Sequence, residues 1–79
     1  MNEKRSLMRQ RTLKAGSIAF NGAAIDCTVR NLTSAGAMLD VESPLGIPRV
    51  FTLIVPSDEV RKHCQVVWIK EKRVGVVFF

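Results

Sequence analysis

Apolar and polar residues alternate with a period of two through most of the chain, and no segment keeps a 3.6-residue period over ten or more positions. Such a pattern predicts strands rather than helices. Residues 13–20 open it, with Ile18 and Phe20 alternating with Ala19, and Asn21-Gly22 follows as a tight hairpin turn. Residues 23–32 form a half-buried strand: Ile25, Cys27 and Val29 share one face, and Asp26, Thr28 and Arg30 share the other. Residues 31–36 reverse the chain, because the side chains of Asn31, Thr33 and Ser34 bond local backbone and Gly36 tolerates conformations closed to other residues. A third strand spans residues 37–41, with Ala37, Leu39 and Val41 inward and Met38 and Asp40 outward. Pro44, Gly46 and Pro48 make residues 42–48 a loop that cannot pair regularly.

The second half continues in the same way. Residues 49–55 read as a nearly continuous apolar strand ended by Pro56-Ser57-Asp58. A longer strand of changing face covers 60–70, and its centre holds Cys64, Val66, Val67, Trp68 and Ile69. Trp68 reads as the largest filler of the core, base stacking being the other use of an exposed indole, and the four Phe read as buried. Residues 71–73 are a charged turn and residues 74–79 a last strand, in which Gly75 marks a bulge or a close backbone approach. Six short strands with frequent turns predict an all-β fold, a six-stranded antiparallel barrel that removes the exposed edges of a small open sheet.

Composition bounds this picture. At 79 residues and 47% hydrophobic content, the chain can build one small core, mostly of Val, Ile, Leu and Ala. No apolar run reaches the ~20 residues of a membrane span, and the polar, basic N-terminus lacks the apolar region of a secretory signal, so a cytoplasmic location is expected. Cys27 and Cys64 lie inside strand-like runs without metal-ligand spacing, and read as buried free thiols. An enzyme needs a nucleophile with its base, a carboxylate pair or a metal site. The lone His63 reads as a surface residue, the acids are scattered, and Asp58-Glu59 reads as turn chemistry, so the chain is read as a binding module without a cofactor.

Charge changes the picture further. The net charge is +5, and residues 1–14 carry Lys4, Arg5, Arg9, Arg11 and Lys14 against Glu3 alone. Residues 1–12 lack a strand pattern and read as a flexible basic arm ahead of a barrel domain at 13–79. A basic arm on a small domain points to an anionic partner. Arg5 and Arg9, in an extended or looped arm, can reach around one anion. Guanidinium suits that task, because its planar fork grips phosphate oxygens and also stacks on flat rings.

Two elements taken together carry a resemblance. Arg5-x-x-x-Arg9 precedes Asn31-x-Thr33-x-x-Gly36 by some twenty residues. The pair resembles the RxxxR and D/N-x-S/T-x-x-G signature of PilZ domains, bacterial receptors for cyclic di-GMP. Cys27-Thr-Val-Arg-Asn-Leu and Gly36-Ala-Met-Leu look like the family's second and third strands, and Val66-Val-Trp-Ile with Val74-Gly-Val-Val-Phe looks like its closing hairpin. The likeness covers essentially the whole chain, as a short single-domain form. It implies a PilZ-like split barrel, with Arg5 and Arg9 gripping phosphates and stacking on guanine, Asn31 and Thr33 bonding a guanine edge or phosphate, and Gly36 admitting the ligand. Lys4, Arg11, Arg30 and Ser34 are weaker candidates for contact. Thr33 stands where Ser is commoner, Met8 where a small residue or proline is frequent, and Ala37 where a second glycine often sits.

The function so implied is a cyclic di-GMP receptor that orders its arm on binding and signals to a partner protein. Two alternatives stand beside it: an interaction adaptor of the same fold that needs no ligand, and a small basic barrel for single-stranded nucleic acid. The low aromatic content disfavours the latter.

Overall fold

The structure, a computed structural model, describes residues 13–79. The basic segment 1–12, with Lys4, Arg5, Arg9 and Arg11, lies outside the described residues. Six antiparallel strands follow in chain order: β1 (Lys14–Phe20), β2 (Ala23–Leu32), β3 (Gly36–Asp40), β4 (Val50–Val55), β5 (Val60–Lys70) and β6 (Arg73–Phe78). They close into a barrel in the order β1-β2-β3-β6-β5-β4, as the alternating pattern predicts. No helix of the described residues is long and apolar enough to cross a membrane.

Turn chemistry explains the hairpins. Asn21 (φ 46°) and Gly22 (φ 77°) both take the left-handed region that a primed two-residue turn requires. A short 3-10 turn, Pro56–Asp58, joins β4 to β5, and Lys14 at the start of β1 reaches its Asp58 at 2.6 Å. The β5–β6 turn is anchored to the end of β3 by a bond from the Val41 amide to the Lys72 carbonyl, at 2.9 Å.

The core is one cluster drawn from every strand. Ile18, Val29, Leu39, Leu53, Val55, Cys64 and Val74 are wholly buried, with Cys27, Val41, Phe51, Val66 and Val76 beside them. Both cysteines are free and buried. Burial pushes each thiol up to about 11, leaving them protonated and unreactive at neutral pH.

Two one-residue irregularities interrupt the pairing, and both correct the simple alternation. Register shifts between Val29 and Asn31 where β2 meets β3, and between Val66 and Trp68 where β5 meets β6. Alternation from buried Val29 would send Asn31 inward, and alternation from buried Val66 would send Trp68 inward. An extra residue in one strand flips everything beyond it to the other face. Trp68 is therefore not the core's filler: it lies on the outside, 43% exposed, with its indole across Gly75. The reading of all four Phe as buried also fails. Phe51 is buried, Phe20 and Phe78 are partly so, and Phe79 beyond the end of β6 is 69% exposed.

Two glycines serve close approach. A Cβ on Gly36 would strike the backbone carbonyl of Val76, and one on Gly75 would enter the Trp68 ring. The first obstacle is fixed backbone and the second a half-exposed side chain that can swing away. Gly36→Ala should thus destabilise the barrel, by about 1–3 kcal/mol as overpacking does, while Gly75→Ala should leave the melting temperature nearly unchanged and shift Trp68 fluorescence. Thermal melts and emission spectra of the two variants check both.

Candidate functional site

The registers of four strands place outward residues in rows across one face. Asn31 pairs with Met38, Met38 with Gly75, and Gly75 with Trp68, so β2, β3, β6 and β5 contribute one residue each to a single row. Three interstrand gaps make that row about 14 Å long. The next outward row is Thr28, Asp40, Arg73 and Lys70. Between them opens a groove of about 830 Å³, bounded by Met38, Asp40, Trp68, Lys70, Lys72 and Arg73 among others.

Charges on this face are organised around Asp40. Its Oδ1 accepts from Arg73 Nε at 2.8 Å and its Oδ2 from Arg30 Nη1 at 3.1 Å. Arg30 is the extra residue at the β2 register shift, and its guanidinium reaches Asp40. Partial desolvation would raise the Asp40 pKa, but the hydrogen bonds and charges of Arg73 and Arg30 outweigh it and hold the carboxyl below its ordinary value. All three side chains remain partly exposed, so water screens the pairs.

The 33–35 turn shows how its sequence works. Thr33 Oγ1 accepts from the Ala35 amide at 3.1 Å and the Gly36 amide at 3.2 Å, and donates to the Gly36 carbonyl at 3.3 Å. One donor and two acceptor positions are all a hydroxyl possesses. Thr33 therefore builds the turn, and the Thr33 amide adds a bond to Gly36 O at 2.9 Å. Gly36 is needed against the Val76 carbonyl, as described above, and not for a positive φ.

Among the residues expected to bind a ligand, Asn31 and Arg30 reach the outer face beside the groove's row. The Asn31 side chain is exposed and has no hydrogen-bond partner among the described residues. Ser34 is exposed at the tip of the turn. Arg5, Arg9, Lys4 and Arg11 lie outside the described residues, but the chain enters β1 at Lys14, opposite Val29 and so two residues along β2 from Asn31. Sequence reasoning missed Asp40, Arg73 and the outward Trp68 as parts of one site. Asp40 was legible as an outward residue; its partnership with Arg73 spans 33 residues of sequence and follows from β3–β6 pairing alone.

His63 Nδ1 faces Thr52 Oγ1 at 3.4 Å, and its ring meets Phe79. No group of three or more His, Cys, Asp or Glu among the described residues could hold a metal ion. Compared with known proteins, the chain matches no family model, no curated protein and no solved structure.

Two outcomes follow from these contacts. Thr33→Ala removes three turn bonds and should cost about 1 kcal/mol of stability, in the range of lost capping hydroxyls, whereas Thr33→Ser should restore it; denaturant titration compares them. Asp40 and Asp58 both have folded pKa values below the ordinary carboxylate, Asp58 chiefly through the Lys14 hydrogen bond and then that of Ser57. Their stabilisation is present above the unfolded pKa, near 4, and is lost as pH falls through the folded values. The double variant Asp40→Asn, Asp58→Asn should accordingly show a shallower loss of melting temperature from pH 5 to 2 than the native chain.

Proposed function

We propose that the outer face of β2, β3, β6 and β5 binds cyclic di-GMP, and that the protein is a receptor for this second messenger rather than a catalyst. The observation that carries the reading is the row from Asn31 to Trp68: a side-chain amide without a partner among the described residues at one end and a half-exposed indole at the other, on the same outward face. A cyclic dinucleotide offers two flat purines and two phosphates. An indole serves a purine as a stacking surface, and a carboxamide matches the mixed donors and acceptors of a guanine edge.

Phosphate charge asks for cations, and the chain concentrates them at one end. Residues 15–79 carry seven bases against six acids, whereas residues 1–14 carry a net +4. The chain enters β1 at Lys14, paired with Val29 of β2, and on this reading the segment that carries Arg5 and Arg9 reaches from there to the ligand. The resemblance of Arg5-x-x-x-Arg9 and Asn31-x-Thr33-x-x-Gly36 to the PilZ signature supports the same ligand. On this reading Arg5 and Arg9 grip the phosphates, Asn31 bonds guanine, and Thr33 and Gly36 hold the turn that presents Asn31. Binding then orders the segment 1–12 over the ligand and presents a new surface to a partner protein.

Isothermal titration with cyclic di-GMP tests the proposal. Saturable binding is expected at tens of micromolar ligand or below, steeper at low salt. Arg5→Ala and Arg9→Ala should each weaken binding by at least tenfold, as the loss of charge-assisted bonds of ~1.5–3 kcal/mol requires. Asn31→Ala should weaken it without moving the melting temperature. No heat from the native protein, or full affinity in the Arg9 variant, overturns the reading; unfolding of the Asn31 variant would make the turn structural.

A further inference from the structure

Arg73 is held in an unusual way for a surface arginine. Asp40 takes its Nε, at 2.8 Å, and a guanidinium held there keeps the Nη1 and Nη2 pair for something else. Among the described residues nothing accepts a hydrogen bond from that pair. Asp40 is itself fixed from the other side by Arg30, so the Arg73 fork is anchored at its base and open at its tip.

Position gives the fork a use. Arg73 is two residues before Gly75 on β6, on the same outward face, and so lies roughly 7 Å along the strand from the glycine that Trp68 covers. Arg73, Trp68 and Met38 line the same groove. A flat bicyclic base stacked against the indole has the dimensions to bring one edge to the fork. Guanine presents two adjacent acceptors, O6 and N7, which an arginine fork meets bidentately. Adenine presents N7 beside an amino donor, which sets donor against donor. An anion alone would need no indole.

We propose that the Arg73 fork, oriented by Asp40, reads the O6/N7 edge of a guanine stacked at Trp68, and that this pair makes the face select guanine over adenine. The inference rests on the cyclic dinucleotide reading above and adds the determinant of its base selectivity. Arg73 is the contact residue and Asp40 a positioning residue.

Parallel titrations with cyclic di-GMP and cyclic di-AMP, which share their sugars and phosphates, test it. The native protein should prefer cyclic di-GMP. Arg73→Ala and Arg73→Lys should both lose that preference by roughly tenfold or more, because lysine keeps the charge and lacks the fork. Asp40→Asn should lose part of it, with a small drop in melting temperature at neutral pH that leaves the barrel folded. Equal weakening of both ligands by Arg73→Ala would make Arg73 a phosphate contact and overturn the inference, as would full selectivity in Arg73→Lys. Native protein that binds cyclic di-GMP while these variants keep their preference sinks the selectivity assignment alone; native protein that binds neither ligand sinks the receptor reading, and the assignment with it.

Discussion

A barrel of this size has room inside for only one side chain in two along each strand, and that limit governs the rest of the molecule. The interior is filled by Ile18, Val29, Leu39, Leu53, Val55, Cys64 and Val74 with a few neighbours, and packing at native density leaves no space for an indole. Alternation supplies the right residues almost everywhere. At two places it would supply the wrong ones, an amide at position 31 and an indole at position 68. Each lies just beyond a one-residue register shift that moves it outside. The bulges are thus what allows a small apolar core and a polar, aromatic face to be written on the same strands.

Both bulges lie on strands flanking the β3–β6 pair, and this places their products in one row. Gly75 completes the arrangement, since only a residue without a Cβ leaves room for the indole to lie flat against the sheet there. Gly36 does the corresponding work at the other end of β3, where the Val76 carbonyl approaches. Thr33 closes the turn with its own hydroxyl, so the backbone beside Asn31 is fixed by local chemistry while the Asn31 side chain engages none of the described residues. Rigid backbone under free polar groups is the condition for recognition without a large ordering cost.

Electrostatics divides the chain differently from the strands. The barrel from residue 15 onward is nearly neutral; on the described face Asp40 pairs with Arg30 and Arg73, while Lys70 and Lys72 line the groove without an ion pair among the described residues. The surplus charge sits in residues 1–14. On the proposed reading, long-range attraction of an anion and short-range reading of its shape would belong to different parts of the sequence, joined where β1 begins beside β2. This division is the physical basis for assigning phosphates to the basic segment and bases to the barrel face.

The amino-acid sequence by itself determined the strands, their turns, the inward residues of β1, β2 and β3 and the free cysteines, because each depends on neighbours one to four positions away: a period of two, an Asn-Gly pair, a proline. It also marked Asn31, Thr33 and Gly36 as a unit. Only the tertiary structure decided what that unit faces. Asn31 shares a row with Trp68 across two intervening strands, Asp40 meets Arg73 across 33 residues, and Trp68 leaves the core because the register slips by one. A slip of one residue costs little locally and leaves no mark in the hydrophobic pattern, since Val66, Val67, Trp68 and Ile69 are apolar whichever way they point. Closure of the barrel around a fixed interior volume is what resolved the ambiguity.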